Sequence, residues 1–545
     1  MPASKVDEKP KEIYENKVEI PPGEDLWAFI GPGWLMSIAY LDPGNIEGDL
    51  QAGAVGRFRL IWVLLAAHVL GLVLQRLSAR LGVTSGYHMA EVAFFYYPRV
   101  PRIILWLMVE IAIIASDMQE VIGTAIALYL LSNQYIPLWA GVLITIADTF
   151  TFLFLDTHGV RKFELFFCFL IAMMAATFGY EFVVTKPAAV DITRGTLMPW
   201  AFEYSQDQFI MGISVVGAVI MPHNLYLHSS LVKSRKVDRR CKSSIVEANK
   251  YFFIESALAL TCSFFINLLV VSVFAVEFFN KTNADIREQC VENTNHMPDY
   301  YVNTFPNNTE VADSDIYRSG VLLGCVYGIG ALYVWAVGII ASGQSSTMTG
   351  TYAGQFAMEG FLHIHISRWK RILITRSLAI FPTIAVVIFS QGVEHITGLN
   401  DLLNCIQMLQ LPFALLPVLT FTADPRIMKE FAAGKVQKFG CLFISVVVMG
   451  INYYFLFEYV DENYGMWYGW TIVGIFAVFY TLFALYMFVY CLKALGFRIM
   501  TKTESGLAAW FPDGHLGEFD APWLNEFRAT RTASDHEPQH EIYCL

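Results

Sequence analysis

Two apolar stretches of this chain are interrupted in the same manner, and the interruption restricts the fold more than any other feature. The first reads Trp34-Leu-Met-Ser-Ile-Ala-Tyr-Leu-Asp42-Pro43-Gly44-Asn45, the second Val215-Val-Gly-Ala218-Val-Ile-Met221-Pro222-His223-Asn224. In each, a helix-forming run meets a side chain able to bind metal, then a proline, then an asparagine two positions on. Proline lacks an amide hydrogen and clashes with the preceding turn, so both helices are expected to open there. An opened helix survives inside a bilayer only where it lines a cavity or is buried in protein. Discontinuous helices in corresponding parts of two halves mark the substrate site of a secondary transporter.

Composition supplies the bilayer. Of 545 residues, 55% are hydrophobic and 16% charged, with mean hydropathy +0.46. Water-soluble domains carry charge on about 25% of residues, so this chain lacks the charge to cover a surface facing water. Runs of roughly 20 apolar residues span the hydrocarbon core. About twelve occur, near 27–55, 59–81, 102–131, 136–155, 162–184, 208–232, 250–278, 319–348, 372–391, 398–422, 437–458 and 465–495. The expected fold class is an all-α, polytopic membrane protein. Residues 1–26 and 502–545 are polar and read as disordered tails. The first has no apolar core or cleavage site of a signal peptide, and the last residues, Glu541-Ile-Tyr-Cys-Leu, lack a prenylation box. The net charge of −11 sits mainly in tails and loops and argues against nucleic acid as a partner. Nine scattered cysteines signal neither a zinc site nor a disulfide framework.

Basic loops set the expected orientation. Lys233–Lys242 is the most basic stretch; Arg161-Lys162, Arg368–Arg371 and Arg426–Lys438 follow it. All fall after an even-numbered run, which puts both tails in the cytoplasm and the long loop 279–318 outside; Arg57 and Arg59, between the first two runs, are exceptions that fit the membrane interface. That loop carries two sequons, at Asn280 and Asn307, read as glycosylation sites.

A carboxylate in mid-membrane costs at least about 2.5–3.5 kcal/mol unless it is partnered. Asp42 therefore reads as a cation ligand, although Asp and Asn beside a Pro-Gly break also serve as helix caps. Asn45 offers an amide oxygen, and Pro222 frees the carbonyl of Ala218, one turn before Met221. A methionine in an apolar helix is ordinarily packing material. Met221, immediately before the proline and mirroring Asp42, reads instead as a thioether ligand. Soft sulfur favours transition metals, whereas Ca²⁺ and Mg²⁺ prefer all-oxygen shells. Asp117 and Glu120, three apart, share a helical face with Glu110. Acids so placed fit a proton relay, or a structural pair with a base such as Arg376. His223 and His228 titrate near neutrality; His68 reads as a hydrogen-bonded core residue.

Four motifs carry a family resemblance: Asp42-Pro-Gly-Asn45, Met221-Pro-His-Asn-Leu-Tyr-Leu-His228, Ser116-Asp-Met-Gln-Glu-Val-Ile-Gly123 and Gly343-Gln-Ser-Ser-Thr-Met-Thr-Gly-Thr-Tyr-Ala-Gly354. Together they resemble the Nramp family of divalent metal transporters, the animal members most closely, over about residues 25–500. The resemblance implies a LeuT-like fold with a 5+5 inverted repeat, broken helices 1 and 6, and two peripheral helices. Its parts would be 27–184, 208–422 and 437–495. It implies symport of Fe²⁺, Mn²⁺ and related ions such as Co²⁺ and Cd²⁺ with protons into the cytoplasm by alternating access, by a monomeric unit with no resident cofactor. Plasma membrane and endosomal–lysosomal membrane are both compatible with it. The family's metal ligands fall on Asp42, Asn45, Ala218 and Met221. A polar residue of the tenth span matches Asn404, with Gln407 and Gln410 close by. The proton-linked network falls on Asp117, Glu120, His223, His228 and Arg376. The Gly343–Gly354 motif reads as small residues for close helix packing.

Three rival readings are weaker. A sodium-coupled organic-solute transporter has no use for Met221 and His223 at the break. A di-iron desaturase needs more histidine boxes than His223/His228 and His363/His365 supply. A receptor or structural protein leaves the intramembrane acids unexplained.

Overall fold

Pro43 and Pro222 each open a helix, as the sequence requires. The structure is a computed structural model that describes residues 29–146, 160–239, 241–292, 297–363, 368–389, 394–463, 467–496, 511 and 514. Helix α1 (Pro32–Ile38) ends in loose turns, and α2 (Pro43–Gly56) restarts with Asp42 as its N-cap. Next come α3 (Ile61–Ser85), α4 (Met89–Tyr96), α5 (Arg99–Leu131) and α6 (Val160–Thr185). At the second break α7 (Gln206–Val219) stops at Ile220, and α8 (Pro222–Leu231) restarts behind Met221. The chain continues through α9 (Lys242–Glu277), the loop helix α10 (Asn283–Glu292), α11 (Ile316–Tyr327), α12 (Ile329–Leu362) and α13 (Arg368–Phe389). It ends with α14 (Glu394–Gln410), α15 (Pro412–Ala423), α16 (Lys435–Asn463) and α17 (Trp467–Leu495).

Among the described residues, eight helical segments are long and apolar enough to cross a membrane. The broken α1 and α2, of 7 and 14 residues, are each too short alone. The expected span at 136–155 lies partly outside the described residues, as do both polar tails except residues 511 and 514. One expected span is displaced. The run at 319–348 straddles Gly328, whose φ of +95° ends α11, and α12 continues to Leu362. Hydropathy does not register a glycine turn between two apolar helices. The cysteine reading also needs correction: a disulfide joins Cys290 in α10 to Cys325 in α11, 35 residues apart. The fold brings together two cysteines that no short spacing relates.

Close approaches lock the broken helices in place. Gly53 of α2 lies against α9 so tightly that a Cβ there would sit 2.5 Å from the Val271 carbonyl oxygen. A Cβ on Gly48 would touch the Ala218 side chain at 3.4 Å, so α2 and α7 cross beside the second break. Helix α8 packs on α1, α3 and α12, and α5 runs along α12. The two breaks therefore share one buried centre, walled by α5, α9, α12 and α14.

Candidate metal site

The first break is heavily hydrogen-bonded. Oδ1 of Asp42 accepts from the Asn45 backbone N–H (3.0 Å) and from Asn45 Nδ2 (2.5 Å). Both sequence readings of Asp42 thus meet in one residue: one oxygen caps α2, while Oδ2 has no partner, nor has Oδ1 of Asn45. The carbonyls at the end of α1 are each claimed. Asn224 Nδ2 donates to Ala39 (3.4 Å), Asn267 Nδ2 to Tyr40 (2.9 Å), and the Ser342 hydroxyl to Leu41. Buried carbonyls without a partner are costly, so these three side chains stabilise the opened turn.

The second break is bare by comparison. Met221 occupies the N-cap of α8 but makes no side-chain cap. Its sulfur meets the Ser116 hydroxyl of α5 at 4.0 Å. Proline at 222 leaves the Ala218 carbonyl without its helical donor. Asn224, just past this break, is the side chain that reaches back to Ala39 and ties the two breaks together.

The centre is buried: Asp42 and Met221 are 1% and 2% exposed. At one end the start of α1 is clamped. Glu255 Oε1 accepts from Gly31 N (2.5 Å) and Gly33 N (3.0 Å). Arg235 donates to the Ile30 carbonyl (2.6 Å) and to Glu164 (2.7 Å). Gly31 has φ +149°, and a Cβ there would collide with Glu164 and Arg235.

A third wall comes from α5 and α14. Gln119 Nε2 donates to Asn404 Oδ1 (2.7 Å) and to the Asn400 carbonyl (3.3 Å), while Gln407 Nε2 donates to Gln119 Oε1 (2.6 Å). The Asn404 oxygen is thereby engaged, whereas Gln407 Oε1 is buried without a partner. Asp49, two turns beyond Asp42 on α2, is buried with Oδ2 unpartnered. Sequence reasoning missed Gln119 and Asp49. The seven-residue spacing from Asp42 was a signal for Asp49; Gln119 offered only its place between two acids.

The acids of α5 meet their base. Arg376 of α13 lies 3.6 Å from Asp117 and 3.4 Å from Glu120, and donates to the Thr347 carbonyl at 2.7 Å. Gly350 permits this approach, since a Cβ there would sit 2.6 Å from Asp117 Oδ1. Gly343 and Gly350 of the 343–354 motif thus pack closely, against Thr124 and Asp117, and Thr347 within it also holds Arg376. Glu110 accepts from the Trp106 indole (2.8 Å). His223 and His228 are buried; Nδ1 of the first and both ring nitrogens of the second have no hydrogen-bond partner. His68 bonds the Leu64 carbonyl through Nδ1 (2.9 Å). Asn280 and Asn307 are both exposed.

A metal site of this kind differs from one built of charged clusters. Among the described residues no group of three or more His, Cys, Asp and Glu side chains could hold a metal. The donors gathered here are one carboxylate, amide oxygens, a backbone carbonyl and a thioether.

Comparison with known proteins defines the class first. The fold matches Mhp1, a nucleobase-cation-symport-1 family transporter, with TM-score 0.51 and 13% identity over 91% of this chain and 93% of that one. That likeness concerns the fold alone, the LeuT-like plan with two broken helices. A manganese transporter of Eremococcus coleocola is nearer, with TM-score 0.74 and 27% identity over 88% of this chain and 97% of that one. Residues 33–458 match the family model described as natural resistance-associated macrophage protein-like. The NRAMP-like transporter smf-3 of Caenorhabditis elegans is 57% identical over 98% of each chain. The chain therefore belongs to the Nramp family; it is a multi-pass membrane transporter and not an enzyme.

Proposed function

We propose that this protein is a proton-coupled symporter that brings Fe²⁺ and Mn²⁺, with Co²⁺ and Cd²⁺ as further substrates, into the cytoplasm. The observation that carries the reading is the pairing of Asp42 and Met221 as N-caps of α2 and α8, each directly behind a break, around one buried centre. Asp42 Oδ2 and Asn45 Oδ1 are buried acceptors awaiting a cation, and Met221 adds the soft donor that Ca²⁺ and Mg²⁺ do not seek. The three claimed carbonyls of α1 leave the Ala218 carbonyl as the backbone donor. The oxygens offered from α14 are Asn404 Oδ1, which accepts from Gln119 and keeps a second lone pair, and Gln407 Oε1, which is buried without a partner. Proton–metal coupling through Asp117, Glu120 and Arg376 is supported by their place on and against α5, the helix whose Gln119 rests on the turn behind Asp42. His223 and His228, on the helix restarted behind Met221, belong to the same pathway.

Alternating access follows from the clamp. Opening toward the end that holds Gly31 requires α1 to leave Glu255 and Arg235. The basic loops make that end the cytoplasmic one, with both tails on the same side and Asn280 and Asn307 outside, glycosylated. The repeats comprise 27–184 and 208–422. The transport unit is a monomer of the plasma or endosomal–lysosomal membrane.

Proteoliposome uptake tests this directly. Mn²⁺ should enter faster under an inward proton gradient, without need of Na⁺, while Ca²⁺ and Mg²⁺ are excluded. Uptake indifferent to the gradient would remove the coupling; uptake that required Na⁺ would favour the sodium-coupled rival. Asn280→Gln and Asn307→Gln should each lower the apparent mass of the expressed protein by one glycan, read by gel mobility with and without glycosidase.

A further inference from the structure

We infer that Gln119 is a positioning residue that fixes the oxygen content of the metal site, and so its preference between harder and softer ions. The inference rests on the site proposed above. It begins with an acceptor whose polarity is fixed: the Asn400 backbone carbonyl cannot donate. Gln119 faces it at 3.3 Å and must present its NH₂ group there, with the same nitrogen reaching Asn404 Oδ1 at 2.7 Å. The Gln119 oxygen is then forced to the other side, where Gln407 lies 2.6 Å away. Only a donor can face that oxygen, so Gln407 presents its Nε2 and leaves its own Oε1 free and buried. Amide orientation is therefore relayed from a backbone carbonyl, through Gln119, to a candidate ligand oxygen.

The relay is also held from the side of the metal. A Cβ on Gly44 would sit 2.5 Å from Gln119 Oε1, so the amide rests against the turn that follows Asp42. Gln119 thus bridges α5, α14 and the first break while its own donor and acceptor are both occupied. It orients a ligand without being one. Without this amide, Gln407 can rotate and present nitrogen, which carries no lone pair for a cation. The site then loses an oxygen and keeps its sulfur. Mn²⁺, the harder ion, should suffer more than Cd²⁺, which the thioether holds.

The test is equilibrium binding of Mn²⁺ and of Cd²⁺ to purified protein by calorimetry, with thermal unfolding as a folding control. Outer-shell substitutions typically cost about 10–100-fold in metal affinity. Gln119→Leu should weaken Mn²⁺ by roughly tenfold or more on that scale, and Cd²⁺ by less than about threefold. Gln407→Leu should give the same change in the Mn²⁺/Cd²⁺ ratio, and the double variant no further change, because one residue acts through the other. Gly44→Ala, which pushes the same amide from the opposite side, should move the ratio in the same direction and serves if Gln119→Leu does not fold. Equal weakening of both ions, or additive effects of Gln119→Leu and Gln407→Leu, would overturn the inference. An Asp42→Ala control that bound Mn²⁺ normally would instead overturn the site itself.

Discussion

The two breaks occupy equivalent places and are built differently. Around Asp42, every opened carbonyl of α1 is met by a side chain from another helix, and the carboxylate is braced by Asn45. Around Met221, the only side-chain neighbour among the described hydrogen bonds is Ser116, at 4.0 Å from the sulfur. In the proposed site the first break, braced by hydrogen bonds, supplies charge and hard oxygen. The second supplies a polarizable sulfur and a freed carbonyl, and its restarted helix is tied only further along, through Asn224, Leu225, Tyr226 and Ser229. A site divided in this way separates two tasks. On the proposed ligand set, charge attracts any divalent cation, and sulfur selects among those that arrive.

The division can be broken from either side. Asp42→Ala removes the only carboxylate in the proposed ligand set. Mn²⁺ uptake should fall by more than about 100-fold, beyond the range typical of outer-shell changes, at unchanged surface amount; radiotracer uptake beside surface biotinylation measures both. Met221→Ala leaves the charge in place, so Mn²⁺ uptake should fall by about tenfold or less while exclusion of Ca²⁺ weakens. Equal losses of Mn²⁺ uptake in the two variants, with Ca²⁺ still excluded, would mean that the tasks are not separate.

Stability sharpens the contrast. Asn267→Ala strands the Tyr40 carbonyl, which should cost about 1–3 kcal/mol and lower the unfolding temperature of purified protein. Ser116→Ala beside Met221 should leave that temperature nearly unchanged, since a hydroxyl 4.0 Å from a thioether contributes little. Reversal of that order would contradict the contrast between a braced break and a bare one.

Much of this was legible in the sequence, for a physical reason. Proline breaks helices wherever it falls, and charge in a bilayer is rare enough to be informative, so Asp42, Met221 and the face bearing Asp117 and Glu120 stood out. The Arg376 pairing followed from the same scarcity. What escaped was neutral and long-range. Gln119 and Asn404 are 285 residues apart and meet only because α5 lies against α14; amides carry neither charge nor periodicity. The Cys290–Cys325 disulfide was hidden likewise, as was the turn at Gly328. Asp49 was readable by its spacing from Asp42, but its buried, unpartnered Oδ2 shows only in three dimensions.

The central claim is that a carboxylate and a thioether from two broken helices hold the same ion. X-ray absorption at the cadmium edge on purified protein loaded with one equivalent of Cd²⁺ tests it most directly. The account predicts a shell of oxygen donors with one sulfur, and loss of the sulfur contribution in Met221→Ala. An all-oxygen shell in the unaltered protein, or a sulfur signal that survives Met221→Ala, would contradict it.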